Sequence, residues 1–361
     1  MFSLHIDTGR TWRGGQNQAF LTVLGLRGLG HRTVLVAHPQ GVLFQRAREG
    51  PDLVPLAPRN AMDLGAAWRL SRLIREYRPD VVHAQDAHAV SMAALALSFG
   101  APVPRPRLLA SRRVDFHLQR HSFSRWVYRQ VDGFIAASGA IRDILVRDGV
   151  PASRIVVVHD GIDVERISGM PAVDLHQELW LPHGVPVIVN VAALVDHKGQ
   201  RHLIDAMPRV RRAVPDAHAV IFGEGELRGA LERQVKDLHL DKHVLLPGFR
   251  EDVLSLAKTA DLFVMSSITE GLGSTLLDAM AMGLAVVGTR AGGIPEAVVH
   301  GETGLLVPPG DPAALAEAII RLLKSPALRR QMGAAGRRRV AGQFDIGHLV
   351  EGTLAAYGVR S

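Results

Sequence analysis

Short, nearly unbroken apolar runs recur along the chain, and between them apolar side chains return every three or four positions. In the first half the runs are FSLHI (2–6), TVLVA (33–37), VVHA (81–84), LLAS (108–111), GFIAA (133–137) and IVVVH (155–159). In the second half they are PVIVNVA (186–192), AHAVIF (217–222), HVLLP (243–247), DLFVM (261–265), LAVVG (284–288) and GLLV (304–307). Runs without alternation read as strands buried on both faces; stretches such as LGAAWRLSRLIREYRP (64–79) read as amphipathic helices. The pattern predicts an α/β protein of parallel sheets covered by helices. Six strands, a Pro- and Gly-bearing break at 160–184 and six more predict two doubly wound, Rossmann-like domains facing each other. We place them at 1–168 and 169–342. The helix IGHLVEGTLAAYG (346–358), within 343–361, comes after the second set is complete and is expected to pack back on the first domain.

Composition narrows the classes. At 361 residues, 47% hydrophobic and 21% charged, the chain has the profile of a globular two-domain protein. It has no cysteine, which removes disulfides and thiolate chemistry and fits a reducing compartment. No apolar run reaches the 18 or more residues of a membrane span. The start, MFSLHIDTG, enters a strand without the signature of a signal peptide, so a cytoplasmic location is expected. The net charge of +7 is uneven. Residues 1–168 hold 22 Arg, no Lys and 14 acids, whereas 169–361 hold 15 Arg, 5 Lys and 21 acids. The basic excess lies wholly in the first half and suggests an anionic partner there.

Ligands of open α/β sheets bind beyond the carboxyl ends of the strands. There, SSITEGLGSTLLDAMAMG (266–283) places Glu270 before two glycines and an apolar helix, with Asp278 eight positions on. Gly271 and Gly273 permit close backbone approach. Ser274 and Thr275 suit the N-terminal cap of a helix whose free N–H groups favour phosphate. Ser274 and Asp278, four apart, share a face. A phosphate site flanked by two carboxylates fits a nucleotide sugar, with its sugar and ribose hydroxyls on either side of a diphosphate. Lys198, in VAALVDHKGQ, is the nearest cation by position.

The segment 266–319 resembles the signature of family 4 retaining glycosyltransferases of the GT-B fold, in which Glu and a second acid are separated by seven residues. FGEGEL (222–227), LPGFREDV (246–253), Gly14–Gly15 and VVHDGIDVERI (157–167) support the resemblance, which covers nearly the whole chain. It implies that Glu270 binds donor-sugar hydroxyls and that Gly271, Leu272 and Gly273 line the sugar pocket. Ser274 and Thr275 would give N–H groups to the phosphates, Asp278 would hold the ribose, and Lys198 would neutralise the leaving diphosphate. Gly223 and Arg250 would flank the base. It implies no metal and no cofactor; the nucleotide diphosphate sugar is itself the donor substrate. Two departures stand out. The family's arginine five or six positions before the lysine is absent, with Ala193 five before Lys198, and its usual histidine after the fourth strand is replaced within SRRVDFHLQRH. Arg10 and Arg13, or Arg112 and Arg113, are the candidates for the missing cation.

In the first half, GRTWRGGQNQ (9–18) is expected to form a glycine-rich loop with Arg13, Gly14 and Gly15 at the cleft. Asp86 and His88 follow the third strand and are expected there too. The stretch Arg105–Arg129 contains seven arginines, one acid (Asp115) and the aromatics Phe116, Phe123, Trp126 and Tyr128, which fits either contact with a membrane surface or phosphorylated lipid or simply a solvated helix face. The expected activity is metal-independent, retaining transfer of a hexose-type sugar to a glycan or glycolipid acceptor, of the bacterial envelope by resemblance. Peripheral association at the inner membrane face is compatible with it. A sugar-nucleotide epimerase of the same fold and a non-catalytic sugar-nucleotide-binding protein are the alternatives. A dinucleotide oxidoreductase is disfavoured, because HIDTGRTWRGG lacks the G-x-G-x-x-G spacing, and nucleic acid is not an expected partner.

Overall fold

The computed structural model describes residues 1–114, 116–118 and 121–359. Asp115 and Arg120 of the basic stretch lie outside the described residues. The chain divides into two units, residues 1–161 with 346–361 and residues 162–345.

The first unit is built on strands β1 (Phe2–Asp7), β2 (Arg32–Ala37), β3 (Asp52–Pro55), β4 (Val81–Ala84), β5 (Arg107–Arg112), β6 (Gly133–Ala136) and β7 (Ile155–Val157). They form one sheet in the order β3-β2-β1-β4-β5-β6-β7. Every pairing is parallel. This is one strand more than the apolar runs predict. The extra strand, β3, sits at the sheet edge with Asp52 and Pro55 exposed, so it never needed a continuous apolar sequence.

The second unit carries β8 (Val187–Val191), β9 (His218–Phe222), β10 (Val244–Gly248), β11 (Leu262–Met265), β12 (Val286–Thr289) and β13 (Leu305–Val307). The order is β10-β9-β8-β11-β12-β13, again all parallel. Both sheets reverse their strand order once, at β1/β4 and at β8/β11, where residues after the strands have open space in front of them.

The first boundary falls after Gly161 rather than after Ser168. The reason is packing. The helix Val164–Gly169 buries Ile167 in the apolar core of the second unit, with Leu276, Leu277 and Phe344. The second boundary falls after Asp345. The last helix, Ile346–Ala356, joins the first unit, where Leu349, Val350 and Leu354 pack with Leu21, Leu26, Leu109 and Ile135. It lies against the helix Gly14–Gly28, close enough that a Cβ on Gly25 would overlap Val350.

Candidate active site

Two loops at the β8/β11 switch point are laced together. After β8 the chain makes a short turn, Asp196–Lys198, ended by Gly199 in the left-handed region. After β11, the Ile268 N–H donates to the His197 carbonyl at 2.8 Å, and Ser266 Oγ donates to the Lys198 carbonyl at 3.2 Å. This lacing brings Lys198 to Glu270. Lys198 Nζ lies 2.6 Å from Glu270 Oε2, with side chains 20% and 11% exposed. Ser267 Oγ donates to the same oxygen at 3.0 Å, and Thr289 Oγ1 at the end of β12 donates to the Ser267 carbonyl at 2.6 Å. The ends of β8, β11 and β12 thus converge on one carboxylate, and Ser267 and Thr289 are site residues the motif reading missed.

The backbone is equally constrained. A Cβ on Gly292 (φ 49°) would overlap the Glu270 carbonyl, so the loop after β12 closes on Glu270 only with glycine there. Gly223 (φ 139°), at the end of β9, stands in the same relation to the Ala192 carbonyl.

The helix Ser274–Ala281 begins beyond Gly273, whose φ of 95° and ψ of 64° set the turn. Ser274 and Thr275 are not its caps, as the sequence suggests. The cap position is Gly273, no side chain caps the helix, and Ser274 is its first residue. The helix starts one residue earlier than a Ser274 cap would give, because a glycine in the left-handed region makes the turn that a capping serine would make from extended backbone. Among the described residues nothing accepts from the Ser274 and Thr275 N–H groups, which leaves the positive helix end open to an anion.

Asp278 lies one helical turn after Ser274. By surface area it is half-buried: part of it stays open to solvent, while the packed remainder strips the carboxyl of hydration. Burial pushes its pKa up to about 7, against the opposing charge of Arg166. No hydrogen-bond donor reaches it among the described residues. Its partners have to come from a ligand or from water. Arg250 is not free: it holds Asp252 through Nε and Nη2, at 2.8 and 2.7 Å, and Glu178 at 2.9 Å. Those contacts raise its pKa further.

In the first unit the expected loop residues have structural employment. Gly14 and Gly15 form the first turn of the helix Gly14–Gly28 rather than a loop, and Arg13 is its cap residue, its N–H bonded to Gln16 Oε1 at 3.2 Å. Asp86 caps the helix Ala87–Ser98 through Ala89 and also clamps Thr8, whose N–H reaches it at 2.7 Å. His88 is exposed in the first turn of that helix. Asp7, at the end of β1, was missed. It accepts from the Gly9 N–H at 2.9 Å and from Gln16 Nε2, and burial, with Asp86 nearby, lifts its pKa to about 6.

Arg113 is no loose cation. Its Nε lies 3.2 Å from Asp160, and Nη1 donates to Gln85 at 2.9 Å. Gln85 leads into a buried polar chain. His83 joins Tyr357 Oη at 2.6 Å and Ser111 Oγ at 2.8 Å, and His5 joins Ser3 at 2.9 Å and Gln85 at 3.1 Å. Burial drives the pKa of His5 down to about 3 and that of His83 well below its ordinary value. Arg10 donates to His38 at 3.2 Å, and Arg112 to the Phe116 carbonyl.

Comparison with known proteins decides the family. The profile "Glycosyltransferase Family 4" matches residues 12–166, and the profile "Glycosyl transferases group 1" matches residues 174–339. Glycogen synthase of Mycobacterium tuberculosis is 30% identical over 316 residues, 84% of this chain and 74% of that protein. The chain is a family 4 glycosyltransferase.

The similarity is wider than one activity. This glycosyltransferase is 32% identical over 194 residues to N-acetyl-alpha-D-glucosaminyl L-malate synthase of Bacillus anthracis, covering 54% and 51% of the two chains. It is 36% identical over 194 residues to a GDP-mannose-dependent phosphatidylinositol monomannoside mannosyltransferase of Corynebacterium glutamicum, at 51% of each. Its GT-B fold is that of Anabaena HepE, solved with UDP and glucose, with a TM-score of 0.86, 21% identity and 99% coverage of both chains. Sucrose-phosphate synthase of Thermosynechococcus elongatus follows at a TM-score of 0.80 and 21% identity, over 99% and 98% of the chains. Among the described residues, no helix of this glycosyltransferase is long and apolar enough to cross a membrane.

Proposed function

We propose that this glycosyltransferase moves a hexose from a nucleotide diphosphate sugar with retention of configuration and without a metal, and that the second unit binds the donor. The observation that carries the reading is the Lys198–Glu270 pair, 2.6 Å apart at the β8/β11 switch point. In this reading Glu270 takes the donor-sugar hydroxyls, and the sugar lies over Gly271, Leu272 and Gly273. The open N–H groups of Ser274 and Thr275 bind phosphate, and the ribose hydroxyls satisfy the unpartnered Asp278 carboxylate. As the bond to the sugar breaks, negative charge grows on the leaving phosphate, where Lys198 and the helix end stabilise it. Charge-assisted contacts of this kind are the strong ones. Gly223, whose backbone closes on Ala192, and the Arg250 loop supply the wall against the base. HepE, of the same fold, was solved with UDP-glucose, which supports a nucleotide sugar as donor.

The first unit takes the acceptor, a glycan or glycolipid, which we place in bacterial envelope synthesis. Its arginine excess favours an anionic acceptor and peripheral association with a cytoplasmic membrane surface. The test is a panel of UDP-, GDP-, ADP- and dTDP-sugars scored by thermal shift and by nucleotide release, with Lys198→Ala alongside. One donor should stabilise the protein and turn over, and Lys198→Ala should lose both effects. Binding without nucleotide release under any acceptor would favour a sugar-nucleotide-binding protein, and donor conversion without acceptor would favour an epimerase.

A further inference from the structure

The helix Leu64–Tyr77 gives one face to the core and leaves the other uncovered. Ala66, Ala67, Leu70 and Ile74 are buried, while Leu64, Trp68, Arg69, Arg72 and Arg75 are exposed. The steps of four from Leu64 to Trp68 to Arg72 line these side chains up. Met62, just before the helix, is 60% exposed, Leu64 58% and Trp68 49%. Three large apolar side chains stand together at one end of a helix about 21 Å long. Beyond them the face is basic. The Arg72 guanidinium lies 5.2 Å from the centre of the Trp68 ring. Arg75 reaches the other way, its Nη1 3.6 Å from where a Cβ on Gly100 would stand, beside the exposed Phe99 and Val103.

The charges around this stripe are one-sided. Arg59, Arg69, Arg72, Arg75 and Arg78 face two acids, Asp63 and Glu76. Asp63 is already engaged, capping the helix through Ala66 and accepting from the Arg59 N–H at 3.0 Å. The basic aromatic stretch that the sequence offers for this purpose is mostly turned inward: Phe123, Trp126 and Tyr128 pack against the core of the first unit, and among the described residues Phe116 alone of its aromatics is exposed. Two copies of the stripe in a two-fold pair would set arginine against arginine, which disfavours self-association. A flat anionic surface with an apolar layer beneath it satisfies both halves of the pattern, because tryptophan and leucine settle at the acyl boundary while arginines meet headgroup phosphates.

We propose that this stripe seats the protein on a membrane leaflet rich in anionic phospholipid, with Met62, Leu64 and Trp68 entering the headgroup layer. The proposal rests on the peripheral association read above and names the surface responsible. The test is co-sedimentation of the full chain with phosphatidylcholine vesicles, with and without phosphatidylglycerol, at two salt concentrations. Binding is expected only with phosphatidylglycerol, weaker at high salt, and with a blue shift of emission that Trp68→Phe loses. The pairs Leu64→Ser with Trp68→Ser, and Arg69→Ala with Arg72→Ala, should each weaken binding by about tenfold or more. Both should keep the wild-type melting temperature and nucleotide-sugar binding, which separates lost docking from lost folding. Absence of binding to phosphatidylglycerol vesicles, or unchanged binding in both pairs, overturns the proposal. So does lipid-free dimerisation that Trp68→Ser abolishes, which would give this face to a second copy. Transfer measured in lipid-free solution tests the catalytic reading independently.

Discussion

Lys198 and Glu270, 72 residues apart in the chain, form one ion pair at 2.6 Å, and Ser267 donates to the same carboxylate oxygen. In the donor-site proposal, a bound donor would exchange this contact for two others, lysine to diphosphate and carboxylate to sugar hydroxyl. Removing either partner therefore affects different parts of the ligand. Glu270→Ala is expected to abolish sugar transfer while nucleoside diphosphate affinity is kept or improved, since the ammonium is released. Lys198→Ala is expected to weaken diphosphate binding by roughly 1.5–3 kcal/mol, the worth of a hydrogen bond to a charged group. Calorimetry with the nucleoside diphosphate reads both, and unchanged affinity in Lys198→Ala would move the phosphates elsewhere.

Asp278 supplies a pH signature. Its pKa is raised to about 7 in the folded chain, so the unliganded carboxyl is largely neutral at pH 6 and ionised at pH 8. An ionised carboxylate accepts from two ribose hydroxyls, so donor affinity should rise between pH 6 and 8. A nucleotide sugar is the right probe, because its diphosphate is a diester with no ionisation in that range. Asp278→Asn should flatten the profile. The stability contribution has the opposite sign. A carboxyl whose folded pKa exceeds the unfolded value favours the folded state below about pH 4, and that advantage is lost as pH rises through 7. Denaturant midpoints of Asp278→Asn and wild type should accordingly diverge with pH, the variant gaining relative to wild type toward pH 8.

Glycines with opposite surroundings make a paired test. Gly292→Ala places a methyl group into the Glu270 carbonyl at a φ of 49° and should cost about 2–4 kcal/mol along with activity. Gly15 lies in the first turn of a helix with nothing within 4 Å of its added Cβ. Gly15→Ala should leave stability unchanged or raise it by up to about 1 kcal/mol. If that variant melts normally and loses transfer, a ligand approaches the backbone at this helix start. If activity is intact, the glycine serves the helix alone.

Tyr357 tethers the returning C-terminal helix to the buried core through His83, and Arg107 donates to the Tyr357 carbonyl at 2.8 Å. Tyr357→Phe should cost about 1–3 kcal/mol, because the buried His83 Nδ1 then keeps only its 3.2 Å contact with Gln85 Nε2. A change confined to the denaturant midpoint marks a structural tether. An added loss in acceptor KM, with donor KM unchanged, would show that the chain from His83 through Gln85 to Arg113 shapes the acceptor side.

Both sheets were legible because strands buried on two faces must be apolar throughout, and twelve of them announce themselves that way. Asp52–Pro55 stayed hidden because an edge strand faces water. The motif singled out Glu270 and Asp278 but could not show their fates. One is paired with a lysine far away in sequence, the other left without a protein partner. Arg113 looked like a spare cation for the position vacated at Ala193, yet Asp160, 47 residues on, claims it. Trp126 and Trp68 both sit among arginines in the sequence, and only the packing tells that the first faces the core and the second water. Long-range pairing and side-chain direction are settled by tertiary structure, so local pattern cannot carry them.

The close fit of Gly223 on Ala192 and of Gly292 on Glu270 has a practical consequence for redesign. At both places peptide backbone presses on peptide backbone, and a side chain added at either glycine would collide with it. If the Arg250 loop flanks the base as proposed, altered donor preference would have to come from side chains such as the exposed Phe249 next to it. A mutagenesis campaign that randomised the glycines would spend its variants on misfolded protein.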